Sequence, residues 1–345
     1  MAALLLLLCL QGERKTENVV LVTLDGFRWQ EVFAGAEERL ISKELGRVED
    51  VDSLRARYWR DTPEARREAL LPFLWGELAG KGQILGNASK GCEARVANGL
   101  KFSYPGYAEM LVGFADPRID SNKKVPNPNP TVLEWMSKRP GFEGRVAAFC
   151  GWDVFPSILN RERSGLPTWA GEPGGLYGEL AAEIPTPWRG TLYDALTFRP
   201  ALEHVKTKAP RLLYLALGET DEWAHHGRYD RYLEAATRDD AYLKRLWETL
   251  QSMPAYAGKT ALLVTTDHGR GSEGATWRDH GKAVAGAERI WIAAMGPEIP
   301  AKGERTKIPD VLQSQIAATV AALLGEDYRR DVPQAAVPLA PLLGN

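Results

Sequence analysis

The sequence predicts an α/β fold, a mainly parallel central sheet with helices on both faces, and three observations carry that prediction. Short apolar, β-branched runs (Val19 to Leu24, Leu212 to Leu217, Leu262 to Thr266) alternate with longer amphipathic stretches such as Tyr229 to Gln251, the signature of strand–helix–strand units. Within those runs consecutive residues are apolar, as strands covered on both faces require. Each run leads into an acid, and two of the three into a histidine as well: Asp25, then Asp221 with His225, then Asp267-His268. Open parallel sheets place their chemistry at the carboxyl ends of the strands.

Composition sets the outer bounds. At 345 residues and 44% apolar content the chain has ample material for a core,, and the elements read as a single domain over 18–340 with excursions near 27–82 and 151–187. With 43 basic and 45 acidic residues the net charge is −2, which excludes a bulk nucleic-acid binder; the charge of a substrate must be met locally. The apolar opening from Met1 to Leu10 is too short to span a bilayer and reads as a signal peptide over residues 1–12,. Export to a periplasmic or extracellular compartment is therefore expected, with Cys9 offering lipoprotein anchoring as a minor alternative and no transmembrane segment in the mature chain. Cys92 and Cys150 then remain, either as a disulfide or as two buried thiols. Nothing in the sequence sets the oligomeric state.

In chain order, Asn18 to Leu24 forms the first strand, and Asp25-Gly26 turns it sharply with the carboxylate at its tip,. Such an acid is as readily a helix cap as a ligand. The charged region to Gly82 reads as scaffold or lid; in its clearest helix, Pro63 to Leu78, Pro63 suits the first turn and Pro72 breaks the run,. Ser103, before Pro105-Gly106 and a helical run to Gly113, is either a cap or a nucleophile aimed with the free N–H groups of a helix start,. The polar, proline-rich segment from Asp116 to Pro130 is a surface loop, Thr131 to Arg139 a short helix and Arg145 to Cys150 a strand,. From Gly151 to Pro187 periodicity fails among prolines and aromatics, leaving a substrate-binding excursion or an irregular surface layer,.

Thr191 to Lys208 is helical and Arg211 to Leu217 a strand. If the chain after Gly218 is helical, Asp221 and His225 share a face and can grip one ion, or form only a surface pair. A strand delivers Asp267-His268, the loop from Gly269 to Gly286 carries His280, and a strand (Arg289 to Met295) and helix (Pro309 to Leu324) complete the series.

These motifs, in this order, resemble the alkaline phosphatase superfamily, most nearly its type I phosphodiesterase and nucleotide pyrophosphatase branch. The resemblance rests on Asp25-Gly26, Ser103-Tyr104-Pro105, Asp221 to His225, Asp267-His268 and the late His280, and spans residues 18 to 325. It implies an alkaline phosphatase-like three-layer sandwich and a phosphoric ester hydrolase acting on a small-molecule phosphoester. Two zinc ions are implied, with manganese as the alternative: one held by Asp221, His225 and His280, the other by Asp25, Asp267 and His268 with the Ser103 oxygen. Ser103 is then the nucleophile, and a phosphoserine the intermediate.

Asn122 stands near where relatives place an asparagine for a phosphoryl oxygen, and Lys123 beside it is the candidate for a second substrate charge. Gly106-Tyr107 departs from the Asn-His that the phosphodiesterase branch commonly carries, which keeps a phosphomonoesterase as the alternative. A sulfatase is the further rival, but Tyr107 stands where the Cys/Ser-x-Pro-x-Arg signal requires arginine. A non-catalytic binding protein would be expected to have lost a ligand.

Overall fold

The computed structural model describes residues 15–343; the leader read over 1–12, with Cys9, lies outside them. Eleven strands are present among the described residues: β1 (Asn18–Leu24), β2 (Gly82–Leu85), β3 (Ala94–Arg95), β4 (Val146–Cys150), β5 (Thr168–Trp169), β6 (Leu212–Leu217), β7 (Thr260–Thr265), β8 (Arg289–Ile290), β9 (Ile292–Met295), β10 (Gly303–Glu304) and β11 (Val311–Leu312). Eight form the main sheet in the order β10-β2-β9-β7-β1-β6-β4-β5, and β11-β3-β8 form a small second sheet. β1 lies at the centre, parallel to β6 (Val19 opposite Leu212) and to β7 (Val19 opposite Ala261). Within the main sheet, among the described residues, only β9 runs against its neighbours, β7 and β2; in the small sheet β8 runs against β3.

Every residue of β1, β6 and β7 is buried, because alternate side chains enter two separate cores. Val19, Leu21, Tyr214 and Leu263 face one, packed with the helices Ser103–Val112, Val132–Ser137 and Gln315–Leu323. Val20, Val22, Leu215 and Val264 face the other, under Asp194–Lys208 and Tyr229–Gln251. The consecutive apolar runs are thus explained by a three-layer sandwich. The 27–82 region belongs to the second core through Val32, Phe33, Leu54 and Leu70. It is scaffold rather than lid. Its helix runs from Pro63 to Leu70, stops before Pro72 and resumes as a wider turn at Leu74–Leu78.

Three expectations need correction. The stretch from Arg289 to Met295 is two strands in different sheets, divided at Trp291, whose indole N–H turns in to the Phe27 carbonyl at 2.9 Å. The last helix begins at Gln315, not at Pro309, because Val311 and Leu312 pair with β3. Between residues 151 and 187 lie three short helices and β5. Cys92 and Cys150 are both free and buried, and Cys92 Sγ accepts the Gly86 N–H at 3.3 Å. Among the described residues no helix is long and apolar enough to cross a membrane.

Candidate metal centre

The carboxyl ends of β1, β6 and β7 lie side by side, and the chain leaves each of them carrying an acid. Asp25 follows β1, the helix Glu219–His225 follows β6, and Asp267-His268 follow β7. Gly26 takes φ +56°, and a Cβ there would lie 2.5 Å from Asp221 Oδ1. Glycine is therefore required both for the turn and for the approach of the two loops. The N–H of Gly26 donates to Asp267 Oδ1 at 3.0 Å, and Thr220 Oγ1 donates to the Asp25 carbonyl at 2.6 Å. Gln313 straps the third loop, its amide donating to the carbonyls of Thr266 and Asp267 at 2.9 and 2.7 Å.

Asp25, Asp267 and His268 meet in the interior, their ligand-type atoms within 4.8 Å of one another. His268 Nδ1 lies 2.9 Å from the Gly269 carbonyl, which can only accept. The ring proton is therefore on Nδ1 and Nε2 presents a lone pair. Asp25 Oδ1 at 3.5 Å and Asp267 Oδ2 at 3.3 Å face that lone pair, and both oxygens are buried without a hydrogen-bond partner. The Ser103 hydroxyl stands beside this group of acceptors, its Oγ 3.3 Å from His268 Nε2. Burial pushes the Asp267 carboxyl up to about 7. Burial and then the neighbouring Asp267 raise Asp25 well above the usual carboxylate range, while burial lowers His268. Buried acceptors are almost always satisfied, so a set of them aimed at one point fits a cation of the kind that oxygen and imidazole donors bind.

A second group adjoins the first. His225 Nε2 is 3.1 Å from Asp221 Oδ2 and 2.9 Å from His280 Nε2, and the His280 and His268 rings stack at 4.0 Å. His280 Nδ1 faces the Lys101 carbonyl at 3.3 Å, so its Nε2 is bare as well. Burial, with His268 and Arg270 close by, holds His280 well below its ordinary value. In the absence of an ion, His225 Nε2 can donate to the bare His280 Nε2,; two imidazole nitrogens with a carboxylate beside them are again donor types that fit a cation.

Ser103 is the first residue of the helix Ser103–Val112. The capping position is Phe102, and no side chain caps the helix, so Ser103 is not the cap that its sequence position allows. Gly106 brings this helix onto the tip of β7, where a Cβ would lie 2.4 Å from the Asp267 carbonyl. One turn on, the buried Tyr107 donates its hydroxyl to Asp25 Oδ2 at 2.9 Å, which leaves Oδ1 free to face His268.

A cavity of about 250 Å³ opens over Ser103, lined by Asp25, Asp221, His225 and His280 on the metal side and by Asn122, Trp152, Thr191 and Glu222 opposite. Asn122 Oδ1 accepts the Tyr104 N–H at 3.0 Å, which leaves its amide nitrogen as a donor. Lys123 does not line this cavity. It opens on a separate small one with Tyr104, Arg118 and Val125, and Lys124 is tied to Asp153 at 2.7 Å.

Sequence reasoning missed Arg270. Fully buried, it pairs with Asp221 Oδ1 and donates to the carbonyls of Gly26 at 3.1 Å and Arg278. Burial brings its guanidinium down to about 9, so it is charged at neutral pH. The signal was present, an arginine two positions after His268, but two of its partners, Gly26 and Asp221, lie in segments that follow other strands. Tyr107, noted only as a departure, was likewise unreadable as a partner of Asp25.

No protein-family model matches the chain, and no curated protein is similar to it. Solved structures are similar in shape. The lipoteichoic acid synthase LtaP from Listeria monocytogenes superposes with a TM-score of 0.58 at 12% identity, covering 96% of this chain and 76% of that one. A 2-O GAG sulfatase, BT1596, gives 0.57 at 13%, covering 95% and 74%. An alkaline phosphatase superfamily protein from Vibrio parahaemolyticus gives 0.52 at 14%, covering 92% and 68%. The chain has the alkaline phosphatase superfamily fold. On that fold Asp25, Asp221, Asp267 and His268 stand at the carboxyl edge of the sheet, and among the described residues the ligand-type atoms within 4.8 Å of one another form two groups, Asp25, Asp267 and His268, and Asp221, His268 and His280.

Proposed function

We propose that this chain is a metal-dependent phosphoric ester hydrolase, of the phosphodiesterase and nucleotide pyrophosphatase kind, with Ser103 as its nucleophile. One observation carries the reading: Asp25 Oδ1 and Asp267 Oδ2, buried and without donors, face the bare Nε2 of His268 beside the Ser103 hydroxyl. Asp25, Asp267 and His268 with Ser103 would hold one divalent ion, and Asp221, His225 and His280 a second. Zinc suits this mixture of imidazole and carboxylate donors, with manganese as the alternative. Bound there, such ions supply Lewis-acid charge and ease loss of the Ser103 proton.

Ser103 Oγ then forms a bond to phosphorus as the bond to the leaving alcohol breaks, and the alcohol departs with a proton. Water cleaves the resulting phosphoserine, which restores the hydroxyl. Asn122, with its oxygen engaged by Tyr104, offers Nδ2 to a non-bridging phosphoryl oxygen.

Rival readings have less support. A phosphomonoesterase would need a partner for the second substrate charge, and neither lysine nor arginine lines the cavity. A sulfatase would need an arginine where Tyr107 is engaged with Asp25. A non-catalytic role that binds no ion leaves the buried, donorless oxygens Asp25 Oδ1 and Asp267 Oδ2 without a purpose. The test is hydrolysis of an aryl phosphodiester, an aryl phosphate and an aryl sulfate by purified, zinc-loaded protein, with metal content measured alongside. Diester cleavage and about two zinc equivalents per chain are expected. Turnover confined to the sulfate, or undiminished after exhaustive chelation, would overturn the reading.

A further inference from the structure

The wall of the cavity opposite the metal groups is built as carefully as the groups themselves. Trp152 and Thr191 pair as an isolated antiparallel bridge. Thr191 Oγ1 donates to Glu222 Oε1 at 2.6 Å, and the Trp188 indole N–H holds the Thr191 carbonyl at 2.7 Å. Gly218 admits the threonine, since a Cβ there would lie 2.7 Å from Thr191 Cγ2. Glu222 follows the proposed ligand Asp221 directly, and its Oε1 is held by Thr191. Its carboxylate is therefore fixed in the cavity wall.

We propose that Glu222 is the specificity-determining residue of this site, selecting singly charged phosphodiesters against doubly charged monoesters; the proposal rests on the phosphoester reading given above. The carboxylates of Asp25, Asp221 and Asp267 offset the charge of the ions they would bind. When ionised, Glu222 adds a negative charge to the cavity wall whose only neighbour of opposite character is the His225 imidazole; no lysine or arginine lines the cavity, and Lys124 is occupied by Asp153. The second oxyanion of a monoester would enter this field without a cation to meet it. In a diester the same position carries an uncharged alkoxy group, which can rest against the indole of Trp152. Discrimination by a built-in repulsive group is a common route to specificity.

The test compares kcat/KM for p-nitrophenyl phosphate and methyl p-nitrophenyl phosphate, which share a leaving group and differ by a methyl in place of one charge. Glu222→Gln retains an acceptor for Thr191 and removes only the charge. It should raise the monoester-to-diester ratio by about tenfold or more, as expected for two like charges several ångströms apart in a half-buried site. The diester value itself should change by no more than about twofold. An unchanged ratio in a variant that melts like the parent would overturn the role of Glu222 while leaving the phosphoester reading intact. Hydrolysis of neither compound by metal-loaded parent protein would overturn that reading, and the selectivity with it.

Discussion

Asparagine in place of Asp267 should make the metal-free protein more stable and destroy its response to metal. Asp267 Oδ1 accepts the Gly26 N–H, an interaction that the asparagine oxygen can keep. Oδ2 is buried, has no donor and lies 3.3 Å from the lone pair of His268 Nε2. An amide nitrogen there would donate to that lone pair, remove an unsatisfied buried acceptor and end the repulsion with Asp25. Each such group costs about 1–3 kcal/mol, so Asp267→Asn in the presence of chelator should be more stable by about 2 kcal/mol at pH 8, above the value of about 7 to which burial raises the Asp267 carboxyl.

Zinc reverses the order. The parent should gain about 4 kcal/mol at a zinc concentration a thousandfold above its dissociation constant. The variant, with one ligand gone and the amide hydrogens pointing at the site, should lose that gain and keep only what the Asp221, His225 and His280 group contributes. Urea unfolding followed by tryptophan fluorescence, with chelator and with zinc, measures all four stabilities. A variant less stable than the parent in chelator, or one gaining as much from zinc, would refute the claim that these orphaned carboxylates exist to hold a cation.

Other substitutions follow from the same geometry. Ser103→Ala should lower phosphoester turnover at least about a thousandfold while keeping most bound metal, and should change stability by less than about 1 kcal/mol, because Ser103 caps nothing. Acid quench of the parent should trap phosphate on Ser103, and near-normal turnover by the alanine variant would exclude it as nucleophile. Tyr107→Phe removes the donor to Asp25 Oδ2 and should weaken zinc binding, measured by competition with a chromophoric chelator, at a stability cost of about 1–2 kcal/mol. Asp240, on the helix Tyr229–Gln251, accepts the N–H groups of Phe73 and Leu74 at 2.7 and 2.9 Å; Asp240→Ala should cost about 2–4 kcal/mol in urea unfolding.

Burial pushes the Asp240 carboxyl up to about 7 from 3.8. Between those values the folded state binds more protons than the unfolded one. The contribution of Asp240 to stability is therefore greatest in acid and is lost as pH rises through about 7. Unfolding between pH 4 and pH 8 should show this decline, and Asp240→Asn should remove its share of the slope.

What could be read from the sequence was whatever is local. Asp25, Asp221 and Asp267-His268 stood out because each follows a run of apolar residues too uniform for anything but a covered strand. Helix limits were legible where a residue acts on its own backbone: Thr131, whose Oγ1 accepts the Glu134 N–H, marks one start and Pro72 one stop. The direction of β9 was not legible, since an apolar tetrapeptide reads the same whether its neighbour runs with it or against it. Nor were Arg270, Tyr107 and Glu222. Each acts through a partner brought to it by another loop, and single-residue patterning does not record such pairings. Ser103 lay between these cases: its candidacy was visible, but that it is not the helix cap needed the structure of the helix start, where Phe102 holds the capping position.

The central place of β1 has a consequence for how the protein comes into being. Its hydrogen-bond partners are β6 and β7, which begin at Leu212 and Thr260. During synthesis Asp25 therefore waits for Asp267, and at about 5–20 residues per second that wait is on the order of ten to fifty seconds. Pairings so distant in sequence also fold slowly once the chain is complete. No short stretch of the chain holds both groups of proposed ligands, so a half-made molecule offers a metal ion only an incomplete set. Ion capture should be among the last events of assembly, and retained zinc would serve as a stamp of completed folding.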